Sequence, residues 1–396
     1  MNYYETVREL AGTHLPEMKQ HRRYLHENPE LAHEEFLTQQ RVIDVLTKLN
    51  IPYTILAETG VVGMIQGAHP GKTVLLRGDM DALPIQEEVD IPFRSQIDGK
   101  MHACGHDGHT AGLLGAAMIL NAMKDDIYGN IKLMFQPAEE TDGGAKTMIK
   151  EGIMENPKVD AAFGLHLGGH LEHGQIEIKY GPMFGAPDEF EIRIQGRGGH
   201  AASPEQTIDP IIIATQIIQS VQTLLTRQID PMKPAVISFT SIHAGEGLNV
   251  IPDTCYVGGT IRTLYPDTRQ FLADKLQEIV NTLSELNGAS ASFEFMPSYP
   301  PLINDDATTR FAHQQLINYF GEDLVREKEF ASLGAEDFAY VALAVPSCYY
   351  NVGIFENGHD EPVHHHPKFA WNDDILETTS SSLAILALDY LNINKI

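Results

Sequence analysis

The chain has 396 residues, 43% of them hydrophobic and 21% charged, which is the composition of a folded globular protein and excludes a disordered one. Its formal net charge of −26 excludes nucleic acid as the principal ligand, because phosphate binding needs clustered lysines and arginines. Three widely spaced cysteines, Cys104, Cys255 and Cys348, exclude a disulfide framework. The sequence shows neither a basic-then-apolar leader nor an apolar run long enough to span a bilayer, so we expect a cytoplasmic protein without a membrane partner.

The first half of the chain predicts alternating helices and strands. Residues 3–49 have helical apolar spacing, interrupted by a turn at Asn28-Pro29. Extended runs are predicted at Tyr53–Leu56, Val61–Gln66, Thr73–Arg77, Ile131–Phe135 and Ala161–Leu165, and a helix rich in Ala, Leu and Met at Thr110–Met123.

Three of these apolar runs lead into residues that bind metals or move protons. The run before Arg77 leads into Asp79 and Asp81, the second into the Glu139-Glu140 pair, and the third into His166. In α/β sheets, ligands lie outside the carboxyl ends of the strands. The sequence therefore predicts a functional site at that edge of a central sheet.

Residues 187–297 follow a different pattern. Strands are predicted at Glu189–Gln195, Ala235–His243, Cys255–Thr263 and Ser290–Phe295, with helices at Ile208–Arg227 and Thr268–Leu286. The resulting βαββαβ order is that of a ferredoxin-like unit. We therefore predict an α/β protein with two domains. A large catalytic domain, residues 1–186 and 298–396, has a central mixed sheet and is interrupted by an inserted ferredoxin-like domain at 187–297.

The segment from 101 to 110 is the densest in potential metal ligands. It holds Cys104, an aspartate and three histidines directly before the predicted helix, and thiolate and imidazole suit zinc and other first-row metals. In the Glu139-Glu140 pair, one carboxylate can bind a metal while its neighbour works as a general base. His166 and one of the consecutive His364, His365 and His366 complete a plausible ligand set for two metals.

Other motifs do not fit their usual contexts. Residues 67–73 are one residue short of a phosphate-binding loop and precede a strand, whereas residues 196–201 lack the βαβ unit of a dinucleotide site. Neither an HExxH nor a GxSxG motif is present, which excludes two common hydrolase types.

Ten stretches in joint order resemble the M20 metallopeptidase superfamily, in its branch of aminoacylases and N-acyl-amino-acid amidohydrolases, which includes hippurate and auxin-conjugate hydrolases. The stretches are HRRYLHENPELAHEE, LLRGDMDALPIQEE, MHACGHDGHTAGLLGAA, LMFQPAEE, GLHL, GRGGHAASPEQTIDPI, GLNVIPD, GTIRT, GAEDFAY and HHHPKF, spanning about residues 20–370. The resemblance implies metal-dependent hydrolysis of the amide bond of acetyl or aryl-acyl amino acids. It also implies a lid or dimerisation role for the inserted domain, and a homodimer or homotetramer.

The resemblance also implies roles for individual residues. Cys104, His106, Glu140, His166 and His365 match metal ligands, His365 because the family places this ligand two residues before a proline, here Pro367. Glu139 matches the general base and Asp81 a carboxylate that orients a ligand or the base. His200 matches an oxyanion-stabilising histidine, in the same copy or across a dimer, and Asn249 and Arg262 match substrate-carboxylate positions. Asp79, where the broader superfamily has a histidine, is expected to be structural.

The sequence is compatible with several alternative functions. The same superfamily contains dipeptidases and aminopeptidases, and N-acetyl-diaminopimelate deacetylation uses the same chemistry. A catalytically inactive binding or metal-storage module is disfavoured by the intact Glu139-Glu140 pair. The two divalent cations are expected to be Zn or Mn, with Co or Ni as alternatives, because mixed Cys, His and Glu ligation accepts each of them.

Overall fold

A computed structural model describes residues 3–141, 143–358 and 363–395. Its α-helices are α1 (Tyr3–Glu27), α2 (Phe36–Lys48), α3 (His106–Ala122), α4 (Gly144–Lys150), α5 (Pro210–Arg227), α6 (Pro266–Leu286), α7 (Asp306–Phe320), α8 (Ala339–Ala344) and α9 (Leu376–Ile393). Its strands are β1 (Tyr53–Leu56), β2 (Gly60–Gln66), β3 (His69–Asp79), β4 (Tyr128–Gln136), β5 (Ala161–Glu172), β6 (Ile176–Ile178), β7 (Gly181–Phe184), β8 (Ala186–Gln195), β9 (Gly199–His200), β10 (Ala235–His243), β11 (Val250–Ile251), β12 (Thr254–Thr263), β13 (Ser290–Met296), β14 (Leu302–Asn304), β15 (Val325–Glu327) and β16 (Ser347–Phe355).

The chain divides into two compact units. Unit 1 comprises residues 1–181, 303–329 and 337–396, and unit 2 comprises residues 182–302 and 330–336. The unit boundaries lie about five residues from the predicted domain boundaries. Unit 2 also includes the segment 330–336, which lies within the range predicted for the catalytic domain.

Unit 1 contains an eight-stranded sheet in the order β1-β2-β4-β3-β5-β16-β6-β15. The β4-β3-β5-β16 part is parallel, whereas β1, β2 and β6 pair antiparallel with their neighbours β2, β4 and β16. The predicted α/β class with a large central mixed sheet is therefore confirmed.

Helix α3 lies at the centre of unit 1. After a polar first turn it is mainly apolar, is buried from His106 to Leu120, and contacts both α1 and α9. Glycines allow this close approach, because a Cβ at Gly115 would lie 2.0 Å from Met18 Sδ and one at Gly108 2.6 Å from the Trp371 ring. In the described parts of the chain, no helix combines the length and the apolar character needed to cross a membrane.

Unit 2 contains a four-stranded antiparallel sheet in the order β10-β12-β8-β13, with α5 and α6 following β8 and β12 in the chain. Strand β8 alternates buried and less buried residues along its length, and the buried set packs with apolar residues of both helices. The opposite face carries polar side chains, including Arg193, Gln195 and Tyr256, around an open hollow of about 670 Å³.

A buried carboxylate ties α9 to the start of α1. Asp389 is 3% exposed and accepts hydrogen bonds from the hydroxyl groups of Tyr3 and Tyr4, the latter at 2.8 Å. Burial raises the pKa of Asp389 to about 7, because desolvation disfavours its charged form. An unfolded aspartate has a pKa of about 3.9, so between roughly pH 4 and 7 the folded state holds a proton that the unfolded state has lost.

The contribution of Asp389 to the free energy of unfolding should therefore decline as the pH rises from about 4 to 7. Above about pH 7 this contribution should stay constant. We expect Asp389→Asn to remove that decline, so that the variant gains about 2 kcal/mol on the wild type between pH 4 and pH 8. The two tyrosine hydroxyls donate to the Asp389 carboxylate and so favour its charged form. The stability gained by Asp389→Asn is therefore smaller than the full difference between the folded and unfolded pKa values would give. Unfolding midpoints measured across this range test it, with the exposed Asp44→Asn as control. A stability difference that stays constant with pH contradicts the prediction.

Candidate metal centre

Three neighbouring strands deliver the predicted site residues to one edge of the unit 1 sheet. Strand register places Asp79 of β3 beside Gln136 of β4, so Asp81 and the Glu139-Glu140 pair follow at the same level. On β5, Gly164 pairs with Arg77, which places His166 level with Asp79. The sequence predicts His166 directly after the end of this strand. In the structure His166 lies inside β5, because β5 pairs with β16 and continues to Glu172.

Helix α3 supplies a further ligand from its first turn. It begins at His106, earlier than the predicted Thr110, and follows Gly105, whose φ of +88° lies in the left-handed region that favours glycine. The helix start therefore carries His106 into the site, while Cys104 lies in the bend just before it.

The five predicted ligands come together in two overlapping groups. Potential ligand atoms of Cys104, His106 and His166 lie within 4.8 Å of one another, as do those of Cys104, Glu140 and His365. Cys104 Sγ is 3.5 Å from His166 Nε2, and Glu140 Oε1 is 3.3 Å from His365 Nε2 and 3.8 Å from His106 Nε2. Cys104 is common to both groups.

The three consecutive histidines point to different partners. The His365 backbone N–H donates to the Ala103 carbonyl at 2.8 Å, which brings its ring beside Glu140. His364 Nε2 lies 2.8 Å from the Leu167 carbonyl oxygen, and His366 Nδ1 accepts from the Lys368 N–H at 3.1 Å. Of the three, the structure therefore brings His365 to the ligand group.

The protonation of these groups reflects burial and close charges. Burial, together with the charges of Glu140 and Glu139, holds the pKa of the Cys104 thiol well above its usual value. Burial lowers the pKa of His166 well below its usual value. For His106, burial opposes the charged form, but Asp79 and Cys104 outweigh it and raise the pKa. For Glu140, burial is outweighed by His365 and His106, which lower the pKa.

The donor set fits divalent metal ions. His106 Nε2 is buried without a hydrogen-bond partner among the described residues, lying 3.6 Å from Asp79 Oδ2 and 3.8 Å from Glu140 Oε1. A buried nitrogen left in this way is costly unless something else binds it. Thiolate, imidazole and carboxylate are ligands of zinc and other first-row ions, so the residues present suit such a cation.

Asp81 organises the loop that carries the two glutamates. Its Oδ1 accepts from the Glu139 N–H at 3.1 Å and its Oδ2 from the Glu140 N–H at 2.9 Å, while Oδ1 also lies 3.3 Å from His106 Nδ1. This fully buried carboxylate therefore contacts both glutamates and a ligand histidine.

Glu139 lies beside the ligands and is 7% exposed. Its carboxylate falls in a group with His106 and Glu140 in which potential ligand atoms lie within 4.8 Å. The Asp337 N–H lies 3.3 Å from Glu139 Oε1 and donates to it.

Asp79 and His109 contact each other beside the ligand His106. His109 Nδ1 lies 2.6 Å from Asp79 Oδ1, and its Nε2 accepts from the Leu167 N–H at 3.0 Å, so both ring nitrogens are occupied. Asp79 Oδ2 accepts from Arg77 Nη1 at 2.6 Å. Potential ligand atoms of Asp79, His106 and His109 also lie within 4.8 Å of one another, so the structural role of Asp79 stays a prediction.

The remaining predicted residues lie in unit 2. His200 of β9 pairs with Val250 of β11, and the Asn249 carbonyl accepts from the Ala201 N–H at 3.0 Å, so the two predicted residues are close. Arg262 lies eight residues along β12 from Thr254, roughly 26 Å at about 3.3 Å per residue. Thr254 is the end of β12 that is nearer in the chain to Asn249, so Arg262 lies towards the other end of that strand.

Glu35, Arg77 and Asp337 are among the buried residues around this centre to which the sequence assigns no role. Two signals were available. A charged residue, Arg77, ends the apolar run of β3, while Glu35 and Asp337 lie in stretches that carry the family resemblance. Neither signal identifies the partners, which come from distant parts of the chain.

Comparison with known proteins places these observations in a family. The model of peptidase family M20/M25/M40 matches residues 75–388. Thermostable carboxypeptidase 2 of Saccharolobus solfataricus is 41% identical over 94% of this chain and 94% of its own. An N-acyl-L-amino acid amidohydrolase of Geobacillus stearothermophilus is 43% identical over 76% of this chain and 82% of its own.

A solved structure agrees with these relatives. A dinuclear metal binding peptidase from the M20 family, from Bacillus subtilis, is 34% identical, with a TM-score of 0.85 over 97% of this chain and 100% of its own. The predicted resemblance is therefore confirmed, and with it the prediction of a metal-dependent hydrolase.

Proposed function

Because the chain belongs to peptidase family M20/M25/M40, we propose that it hydrolyses the amide bond of N-acyl amino acids with acetyl or aryl-acyl groups. The products would be a carboxylic acid and a free amino acid. The observation that carries the proposal is the meeting of Cys104, His106, Glu140, His166 and His365 at one sheet edge, with the Glu139 carboxylate beside them.

Two divalent cations fit this ligand set. The residues that would hold them are Cys104, His106 and His166 in one group, and Cys104, Glu140 and His365 in the other. When bound, such cations supply positive charge that favours deprotonation of a water molecule and polarises a carbonyl group. Zn or Mn is the proposed metal, with Co or Ni as alternatives.

Glu139 is proposed as the general base and acid. Its carboxylate takes a proton from the attacking water, whose oxygen forms a bond to the amide carbon, and then delivers that proton to the leaving nitrogen as the C–N bond breaks. Proton transfer of this kind contributes about 10²–10⁴-fold to the rate. Asp81 would hold the Glu139 main chain in place through its contact with the Glu139 N–H.

The residues of unit 2 are proposed to contact the substrate. His200 would donate to the oxygen of the carbonyl under attack, and Asn249 and Arg262 would bind the substrate carboxylate, for which the Arg guanidinium offers a forked pair of donors. Because Arg262 lies at the end of β12 away from Thr254 and Asn249, we propose that His200 and Arg262 reach one small substrate from two copies of the chain. This favours the proposed homodimer, with unit 2 as its dimerisation and lid domain.

A peptidase is the second candidate, because one relative is named a carboxypeptidase. Release of a carboxyl-terminal residue and hydrolysis of an N-acyl amino acid break the same bond beside a free carboxylate. The two functions differ in whether a free amine or a longer chain is accepted on the acyl side. Dipeptidase activity, aminopeptidase activity and N-acetyl-diaminopimelate deacetylation are further alternatives, because each hydrolyses an amide bond by the same chemistry.

A substrate panel tests the proposal. Purified protein is stripped with a chelator, reloaded with Zn, Mn, Co or Ni separately, and assayed on acetyl- and benzoyl-amino acids, dipeptides and carboxyl-blocked acyl-amino acids. We expect turnover of the N-acyl amino acids that disappears on chelation and returns with one of the metals. Higher turnover of dipeptides would support the peptidase instead, and activity unaffected by chelation would exclude the proposed metal role.

The ligand assignment makes a separate prediction about two of the three buried cysteines. Cys104→Ala should lower the bound metal substantially, since Cys104 belongs to both ligand groups. Cys348→Ala is the matched control, because Cys348 is also buried but lies on β16, where its thiol contacts the Tyr349 carbonyl. Elemental analysis measures both, and full metal content in Cys104→Ala would remove Cys104 from the ligand set.

A further inference from the structure

The turn directly before Glu139 has an unusual backbone. Ala138 has a φ of +53°, in the left-handed region that residues other than glycine rarely adopt, and it is completely buried. Such a conformation persists only where the surroundings hold it, and its buried N–H needs an acceptor. Both requirements point to the groups packed around Ala138.

The acceptor is the carboxylate of Glu35. Glu35 Oε1 accepts from the Ala138 N–H at 2.9 Å, and Oε2 accepts from the Thr59 hydroxyl at 2.7 Å. Glu35 is 0% exposed, so water does not compete for these contacts. The carboxylate is therefore oriented from two sides.

Glu35 itself is fixed by its place in the fold. It precedes α2, whose Gln39 N–H donates to the Glu35 carbonyl at 2.8 Å. A few residues earlier, the Glu30 carbonyl accepts from the Ala82 N–H at 2.7 Å, and its carboxylate accepts from the N–H groups of Leu37 and Thr38. The start of α2 is thereby tied to the segment that carries Asp81.

Two buried carboxylates thus divide three successive N–H groups between them. Asp81 holds those of Glu139 and Glu140, and Glu35 holds that of Ala138. We infer that Glu35 is a positioning residue for Glu139, which aims the Glu139 carboxylate by keeping Ala138 in its left-handed conformation. The inference rests on the proposed function of Glu139 as the base. Glu35 acts through the main chain and does not touch the substrate.

The kinetic test compares an apolar with an amide replacement. Glu35→Met removes the acceptor at similar length, and we expect kcat to fall about 10–100-fold, since misplacement by about 1 Å costs up to 10²-fold. KM and bound metal should stay near wild-type values. Glu35→Gln keeps an acceptor oxygen for Ala138, and its kcat should remain close to wild type. Glu34→Gln, which changes an exposed carboxylate next to it, is the control.

Hydrogen exchange gives a readout that does not need activity. The Ala138 amide should exchange at least about tenfold faster in Glu35→Met than in wild type. In Glu35→Gln its exchange rate should be unchanged, because only Glu35→Met loses the hydrogen bond to the Ala138 N–H. If Glu35→Met does not fold, Thr59→Val is used, which removes one of the two contacts and should lower kcat less. If Thr59→Val leaves both kcat and the exchange rate of the Ala138 amide unchanged, the inference is overturned.

The outcomes separate the inference from the proposed function. A wild type that turns over substrate, an inactive Glu139→Gln and a fully active Glu35→Met would overturn the inference alone. Loss of stability in Glu35→Met with unchanged kcat would also overturn it, since that describes a structural residue. No turnover by the wild type on any substrate would overturn the proposed function and with it the role of Glu35, while the exchange result would still report on the Ala138 bond.

Discussion

Glu139→Gln should lower kcat by about 10³-fold while the protein keeps its metal and its stability. Glutamine has the size of glutamate and still offers an oxygen to the Asp337 N–H, which contacts Glu139 Oε1. Its amide cannot take up a proton, so the step that deprotonates the water is lost. Steady-state kinetics on the best substrate of the panel, together with elemental analysis, measures both quantities.

The neighbouring Glu140→Gln is the matched comparison. Glu140 lies in the ligand group with Cys104 and His365, so its replacement should lower the bound metal first and activity as a consequence. Adding excess metal should then restore part of the activity of Glu140→Gln and none of that of Glu139→Gln. Turnover near the wild-type level in Glu139→Gln, or its loss of metal, would contradict the assignment of the base.

Those parts of the fold that local sequence patterns encode were predictable. The apolar runs predict the positions of β1 to β5. The longer elements of residues 187–297 follow one another as β8, α5, β10, β12, α6 and β13, with the short strands β9 and β11 between them, and the ferredoxin-like inserted domain stays a prediction. The start of α3 was missed because His106, Asp107 and His109 in its first turn are polar residues, which show no apolar helical spacing although they are buried. The position of His166 within β5 was missed because pairing with β16 extends that strand beyond its apolar run.

The candidate site was predictable as a set of residue types, and its supporting contacts were not. Potential ligands stand out in the sequence as a dense cluster around Cys104, but the choice of His365 among three histidines depended on the family and on backbone contacts such as that to Ala103. The bond between Glu35 and Ala138 joins residues 103 positions apart, and that between Arg77 and Asp337 joins residues 260 positions apart. Single-sequence patterns carry no information on such pairs.

Arg77 illustrates how much stability depends on contacts of that kind. Its side chain is completely buried, and its guanidinium donates to Gln136 Oε1 at 2.8 Å, Asp79 Oδ2 at 2.6 Å and Asp337 Oδ1 at 3.0 Å. Gln136 Nε2 in turn donates to Asp337 Oδ2 at 2.8 Å. Burial would raise the pKa of Asp79, but Arg77 and the nearby histidines outweigh it and hold that pKa well below its usual value. The Arg77 guanidinium thus lies between the buried carboxylates of Asp79 and Asp337.

We therefore expect Arg77→Met to destabilise unit 1 by about 3–5 kcal/mol, because breaking a buried pair from one side leaves charges uncompensated. A loss of that size lowers the unfolding midpoint by roughly 10 °C. Calorimetry or urea unfolding measures it, with Arg310→Met as control, since Arg310 is exposed on α7 of the same unit. Adding Asp337→Asn to Arg77→Met should recover part of the loss, because one buried charge is removed as well. An unchanged unfolding midpoint in Arg77→Met would show that these charges do not stabilise each other. The same conclusion would follow if Asp337→Asn lowered stability as much in the Arg77→Met background as it does alone.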